Sequence, residues 1–192
     1  MYRAVALRFL ESGLEITDAN AGSLLETTRF DIAHDEDGMK IFTDGRDVTD
    51  RIRARDVTRM SSVASALPTV RRLLVNLQRT IAERETLSGG GVIAEGRDIG
   101  TVVFPHADVK IFLEAESGER ARRRLAELGG PVSPGDEARI EADLRERDER
   151  DRSRTMSPLR RADDAFVVDT TNLTPEEQLA RIESIIREHD SR

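Results

Sequence analysis

Apolar positions change their period near residue 90. Before it they recur mostly at helical spacing, and after it short apolar runs alternate with helical stretches. Residues 1–13 predict a helix beginning at once, with Gly13 as its C-terminal cap and no Ser, Thr, Asp or Asn ahead of it. A second helix is predicted over 17–28, capped by Asp18. Residues 29–34 and 39–43 alternate as strands do, and Asp35-Glu36-Asp37-Gly38 between them is a hairpin signal. Asp44-Gly45 marks another turn, after which Val48 leads into charged helical sequence. Helices are predicted over 49–66 and from Pro68 to about Leu87. The second carries Pro in its first turn and Val70, Leu73, Leu74 and Leu77 at core spacing, and Ser88-Gly89-Gly90 breaks it.

Beyond that break, strands are predicted over 91–94, 109–113 and 165–169, with helices over 117–128 and 133–154. The last helix opens on Thr174-Pro175-Glu176-Glu177, a cap, a Pro at the first position and a capping Glu. Near-continuous apolar strands separated by helices imply an α/β fold with a parallel sheet covered on both faces. The antiparallel segment near 29–43 reads as a small flap inserted between helices.

Composition narrows the classes. At 192 residues and 38% hydrophobic the chain suits one globular unit with a small inserted lobe. A net charge of −7 argues against general attraction to nucleic acid or anionic membrane. There is no cysteine, hence no disulfide or thiolate chemistry. No apolar run approaches the ~18 residues of a membrane span and no signal-peptide pattern opens the chain, so a soluble cytoplasmic protein is expected. Of the 30 basic residues only Lys40 and Lys110 are lysines. Arginine forks suit phosphates and carboxylates, and a GC-rich genome would give the same bias.

Position therefore has to separate those two origins. Glu95-Gly96-Arg97-Asp98 follows the apolar run 91–94 and precedes another, 99–104. It is either a surface turn, with Gly96 supplying the backbone angle, or the ligand-binding carboxyl end of a buried strand. In the charged stretch 140–154, Ile140 and Leu144 share a helical face. Continuing that face leads to Arg147, Asp151 and Arg154 with Arg150 alongside, while Arg145, Asp148, Glu149 and Arg152 fall opposite. The stretch is either a solvated charged helix or one whose arginines face an anion, because cations buried alone are costly. The preceding helix carries an apolar stripe of Ala121, Leu125 and Leu128, flanked by Arg120 and Arg124 with Arg123 further round. Joined near Gly129-Gly130-Pro131, the two helices could close over one site as a lid. His34, His106 and His189 show no ligand spacing and are expected at the surface. Nucleophile motifs of the Gly-x-Ser-x-Gly type are lacking, and aromatic residues are too few for a base-stacking surface.

Three blocks resemble the bacterial cytidylate kinase family: Met1-Tyr2-Arg3-Ala4, the run from Glu95-Gly96-Arg97-Asp98 to Pro105, and Arg147-Asp148-Glu149-Arg150-Asp151-Arg152 followed by Ser157-Pro158-Leu159. Order and spacing agree over essentially the whole chain. The resemblance implies a P-loop NTPase-like parallel sheet flanked by helices, in one domain with an inserted monophosphate-binding lobe at about 27–70 and a lid at about 120–155. It implies transfer of the ATP γ-phosphoryl to CMP or dCMP with Mg²⁺. Arg3 and Arg97 would hold the acceptor phosphate. Ser62, Arg71 and Asp98 would read the cytosine edge with Arg154 nearby, and Arg147 and Asp151 would touch the ribose. Arg123, Arg124 and Arg150 would meet the transferring phosphoryl. Partners would be these nucleotides alone, with no nucleic acid or membrane, and the protein a monomer.

The family also places a strand, a Gly-x-x-x-x-Gly-Lys-Ser/Thr loop and a helix ahead of the Met-Tyr-Arg block, and these are absent from the 192 residues. Neither lysine can serve that loop. The expectation is a misplaced start or truncated chain, roughly 30 residues short by the size of such units, impaired in ATP chemistry. The alternatives are a non-catalytic nucleotide- or phosphate-binding module, an RNA-binding arginine-rich helix, and a kinase with UMP or a wider acceptor range.

Overall fold

A computed structural model describes residues 1–36, 38–129, 131 and 133–190, with backbone only for His34 and Asp35. Asp37 of the predicted hairpin turn, Gly130 of the interhelical loop and the side chain of His34 lie outside it. The chain forms two compact units, Met1–Val92 and Ile93–Arg192. Among the described residues no helix is long and apolar enough to cross a membrane.

The first unit is built on α1 (Tyr2–Ser12), whose Ala4, Val5, Ala6, Leu7 and Phe9 are all buried. Five consecutive or near-consecutive buried positions make this helix apolar on several faces, as a central helix must be. It ends as the sequence predicts: Gly13 takes φ 68 and its N–H donates to the Phe9 carbonyl at 3.1 Å. Around it stand α2 (Asp18–Glu26), α3 (Arg55–Ala64) and α4 (Pro68–Leu87). Val57, Ala64, Val70 and Leu74 complete the same core.

Two local expectations need correction here. The cap of α2 is Thr17, whose Oγ1 accepts from Asn20 N–H, and not Asp18. Asp18 instead accepts from the backbone N–H and hydroxyl of Thr69, both at 2.8 Å, and so caps α4, which has no side-chain cap of its own. The helix predicted over 49–66 is broken at Ala54, whose ψ of 153 separates a short 3₁₀ turn (Arg51–Arg53) from α3.

A three-stranded antiparallel sheet belongs to this unit: β1 (Phe30–Asp35), β2 (Gly38–Thr43) and β3 (Arg46–Asp47). The third strand was not foreseen. Asp44 and Gly45, both with positive φ, form the two-residue turn that pairs Thr43 with Arg46, the geometry that suits the twist of a hairpin.

The second unit is mixed α/β, with β4 (Ile111–Glu114) paired in parallel to β5 (Phe166–Asp169) and accompanied by α5 (Ser117–Leu128), α6 (Asp136–Arg152) and α7 (Pro175–Asp190). Helix α7 carries the predicted reciprocal cap: Glu177 N–H donates to Thr174 Oγ1, and Thr174 N–H to Glu177 Oε2. Together the parallel pair with its helices and the small antiparallel sheet form the α/β architecture expected of a nucleoside monophosphate kinase.

The strand predicted over 91–94 does not form. Residues 91–95 have no regular secondary structure and are exposed, Ile93 to 99%. A strand exists only where a neighbour takes its backbone groups, and among the described residues none is paired with this segment. The apolar run that follows, 99–104, is a π-helical turn (Ile99–Val103): the Asp98 carbonyl accepts from both Val102 and Val103 N–H, and Ile99 from Phe104.

Candidate active site

A connected polar cluster of the second unit centres on Arg97. Its Nη1 donates to Asp148 Oδ1 at 2.5 Å, and its Nε lies 2.9 Å from Asp151 Oδ2. Asp148 Oδ2 in turn accepts from Arg120 Nη1 at 2.6 Å, and Asp151 pairs with Arg154. Three guanidinium groups thus alternate with two carboxylates, leaving one net positive charge. Asp148 and Asp151 are 5% and 1% exposed, so both depend on these partners for what burial removes.

Helix geometry places the two carboxylates together. Asp148 and Asp151 lie three residues apart on α6 and project from one face. The inward stripe of α6 runs Ile140, Leu144, Asp148, Asp151, with Leu144 half-buried and the other three buried. Asp148, expected on the outer face, is therefore an inward residue, and Arg147 and Arg150 flank the stripe half-buried. A stripe followed by steps of four, four and three would have found Asp148. Arg120, read only as flanking an apolar stripe, is the other group that sequence reasoning left without a role.

Backbone packing around Arg97 and Asp98 is tight. Gly96 does not have a left-handed backbone. A Cβ there would stand 2.8 Å from Ile99 Cγ1, so the glycine serves close approach and not turn geometry. Asp98 is buried, and its carbonyl starts the π turn. The far end of that turn is held by Lys110, a buried lysine whose Nζ donates to the Pro105 carbonyl and to Asp164, each at 2.6 Å. Its stem packs over Gly100, where a Cβ would meet Lys110 Cδ at 3.3 Å.

Beyond α6 the chain doubles back, Leu159 N–H donating to the Asp151 carbonyl at 2.8 Å. Arg154 lies in this turn, its side chain 10% exposed.

The three arginines expected at a transferring phosphoryl are all engaged. Arg123 donates to Glu119, to the Thr170 hydroxyl at 3.1 Å and to the Thr170 carbonyl at 2.5 Å, which ties α5 to the loop between β5 and α7. Arg124 pairs with Glu127 and Arg150 with Glu146 within their own helices. Surface pairs of this kind are weak and readily exchanged.

Within the first unit, Arg71 is 2% exposed, donates to the Tyr2 hydroxyl at 3.0 Å and stacks its guanidinium 5.3 Å from the Tyr2 ring centre. Arg3 is half-buried on the first turn of α1. Ser62 is half-buried on α3, its carbonyl accepting from Ser65. Tyr2 thereby joins α1 to Arg71 of α4. His106 and His189 are exposed. Among the described residues no group of three or more His, Cys, Asp or Glu side chains could hold a metal ion.

The family model described as cytidylate kinase matches residues 1–188. The chain is 48% identical over 190 residues to the cytidylate kinase of Carboxydothermus hydrogenoformans, covering 97% of this chain and 82% of that protein. It is 43% identical over 192 residues to that of Salinibacter ruber, covering 100% and 85%, and 41% identical over 189 residues to that of Mycolicibacterium paratuberculosis, covering 98% and 81%.

Proposed function

The chain belongs to the cytidylate kinase family, a family of nucleoside monophosphate kinases that phosphorylate CMP with ATP, and from that premise we propose that its 192 residues carry the acceptor side of this reaction, with CMP or dCMP as acceptor and CDP or dCDP as product. The observation that supports this best is Arg97, a guanidinium braced by two buried carboxylates at the start of a tight backbone turn. Arg97, with Arg3, holds the acceptor phosphate through its forked donors. Asp98 accepts from the exocyclic amine of cytosine, as carboxylates do, and Ser62 and Arg71 read the rest of that edge with Arg154 nearby. Arg147 and Asp151 meet the ribose. Arg123, Arg124 and Arg150 exchange their present partners for the phosphoryl oxygens as a lid over about 120–155 closes, and the inserted lobe at about 27–70 completes one kinase domain. No general base is required, because phosphoryl transfer relies on positioning and charge stabilisation. The Mg²⁺ this chemistry calls for binds chiefly through the substrate phosphates and water, and no step is assigned to a protein-held ion.

The 192 residues include no Gly-x-x-x-x-Gly-Lys-Ser/Thr segment to cradle the donor phosphates. For a polypeptide of these residues alone, CMP binding with weak turnover is the expected outcome. Calorimetry with CMP, dCMP, UMP and AMP, followed by a coupled assay with ATP, tests both parts. Preference for the cytidine nucleotides supports the acceptor assignment, and equal binding of all four overturns it. Robust CMP phosphorylation would overturn the expected impairment, while binding with no turnover at all favours a non-catalytic nucleotide-binding module. The same preparation, run by sedimentation, should behave as a monomer.

A further inference from the structure

Asp148 has no part in the roles assigned above, yet it is buried and both of its oxygens are used, Oδ1 by Arg97 and Oδ2 by Arg120. It links three segments: the loop that carries Arg97, helix α5 and helix α6. Arg97 also meets Asp151, so its Nε and Nη1 are each held by a carboxylate of the same helix face. Two contacts on a planar guanidinium fix the plane as well as the position. Among the described residues Nη2 has no hydrogen-bond partner, and the Arg97 side chain remains 29% exposed.

We propose that Asp148 is a positioning residue that holds Arg97 so that its remaining N–H groups face the acceptor phosphate. An arginine is long and rotamer-rich, and a ligand that must order it forfeits affinity, whereas one ordered on folding binds a preorganised donor. The inference rests on the acceptor reading of Arg97. It also opposes simple electrostatics, which makes it discriminating. Replacing Asp148 by Asn raises the net charge of the cluster from one positive to two, so charge alone predicts tighter binding of an anion. Loss of positioning predicts weaker binding.

The test is calorimetry on the full chain with CMP and with cytidine, for wild type, Asp148→Asn, Arg97→Gln and the double variant. Asp148→Asn should weaken CMP about tenfold, or about 1.4 kcal/mol, and leave cytidine unchanged. In the Arg97→Gln background the same substitution should add nothing, the non-additivity of residues that act as one. Unchanged or tighter CMP binding, an equal loss for cytidine, or additive losses would each overturn the inference. Wild type that fails to bind CMP overturns the acceptor reading itself, and the inference with it. Near-ultraviolet circular dichroism checks the fold. If Asp148→Asn does not fold, Asp148→Asn with Arg120→Gln, which removes a cation together with the carboxylate, takes its place in the same comparison.

Discussion

Burial of Asp148 raises the cost of its charge, but hydrogen bonds from Arg120 and Arg97 outweigh burial and hold its carboxyl below the ordinary aspartate value of 3.8. The sign of the resulting pH dependence is fixed. An acid whose pKa is depressed on folding binds its proton more readily when unfolded, so it contributes stability in full above the unfolded value. That contribution fades as pH falls through the folded one. The melting temperature of the wild-type chain should therefore drop more steeply below about pH 4 than that of Asp148→Asn, which cannot titrate there. Thermal melts across that range check it, and parallel acid limbs would show that the pairs with Arg97 and Arg120 do not persist in solution.

Element ends were the most legible part of the chain, because a cap or tight turn is written in two to four adjacent letters. Gly13, Pro68, Asp44-Gly45 and Thr174-Pro175-Glu176-Glu177 each do what their side chains dictate. Gly13→Ala should cost about 1 kcal/mol through the Cβ penalty at positive φ, measurable as a lower denaturant midpoint with an unchanged slope, and no loss would mean the cap frays. What the letters could not convey depends on partners distant in sequence. Asp18 looks like a local cap, and its oxygens go to Thr69, 51 residues on. Residues 91–94 have a strand's composition, and whether such a run pairs is decided by its neighbours and not by its own side chains. On α6, Asp151 is buried on the stripe of Ile140 and Leu144 as expected, whereas Asp148, expected on the opposite face, continues that stripe as well. A charged residue on such a stripe is stable only when another element supplies its counter-charge, and Arg120 of α5 does so for Asp148.

At the scale of the whole molecule, 28 arginines out of 192 residues invite a polyanion as partner, and the pairing pattern argues against one. Arg8, Arg51, Arg122, Arg139 and Arg187 each lie against a carboxylate three to five residues away, and the chain as a whole carries a net charge of −7. Such exposed pairs contribute little to stability, but each sets a positive charge beside a neutralising acid, where a backbone of phosphates needs a run of available cations. A single phosphate asks for much less, one braced guanidinium with a donor to spare. The two partner classes respond differently to salt. A polyanion held through six to ten phosphates loses affinity by about 10³ or more between about 50 and 200 mM salt, because condensed counterions are released on binding. A mononucleotide has no condensed atmosphere to release, and only ordinary screening acts on it, for a change of about threefold. CMP affinity should follow the shallow course, and a labelled single-stranded RNA should not be retained by the chain even at the lower salt. Salt-sensitive RNA retention would mean that the arginines on the flanks of α5 and α6 act as a continuous surface, and that the pairing seen around Arg97 is one arrangement among several.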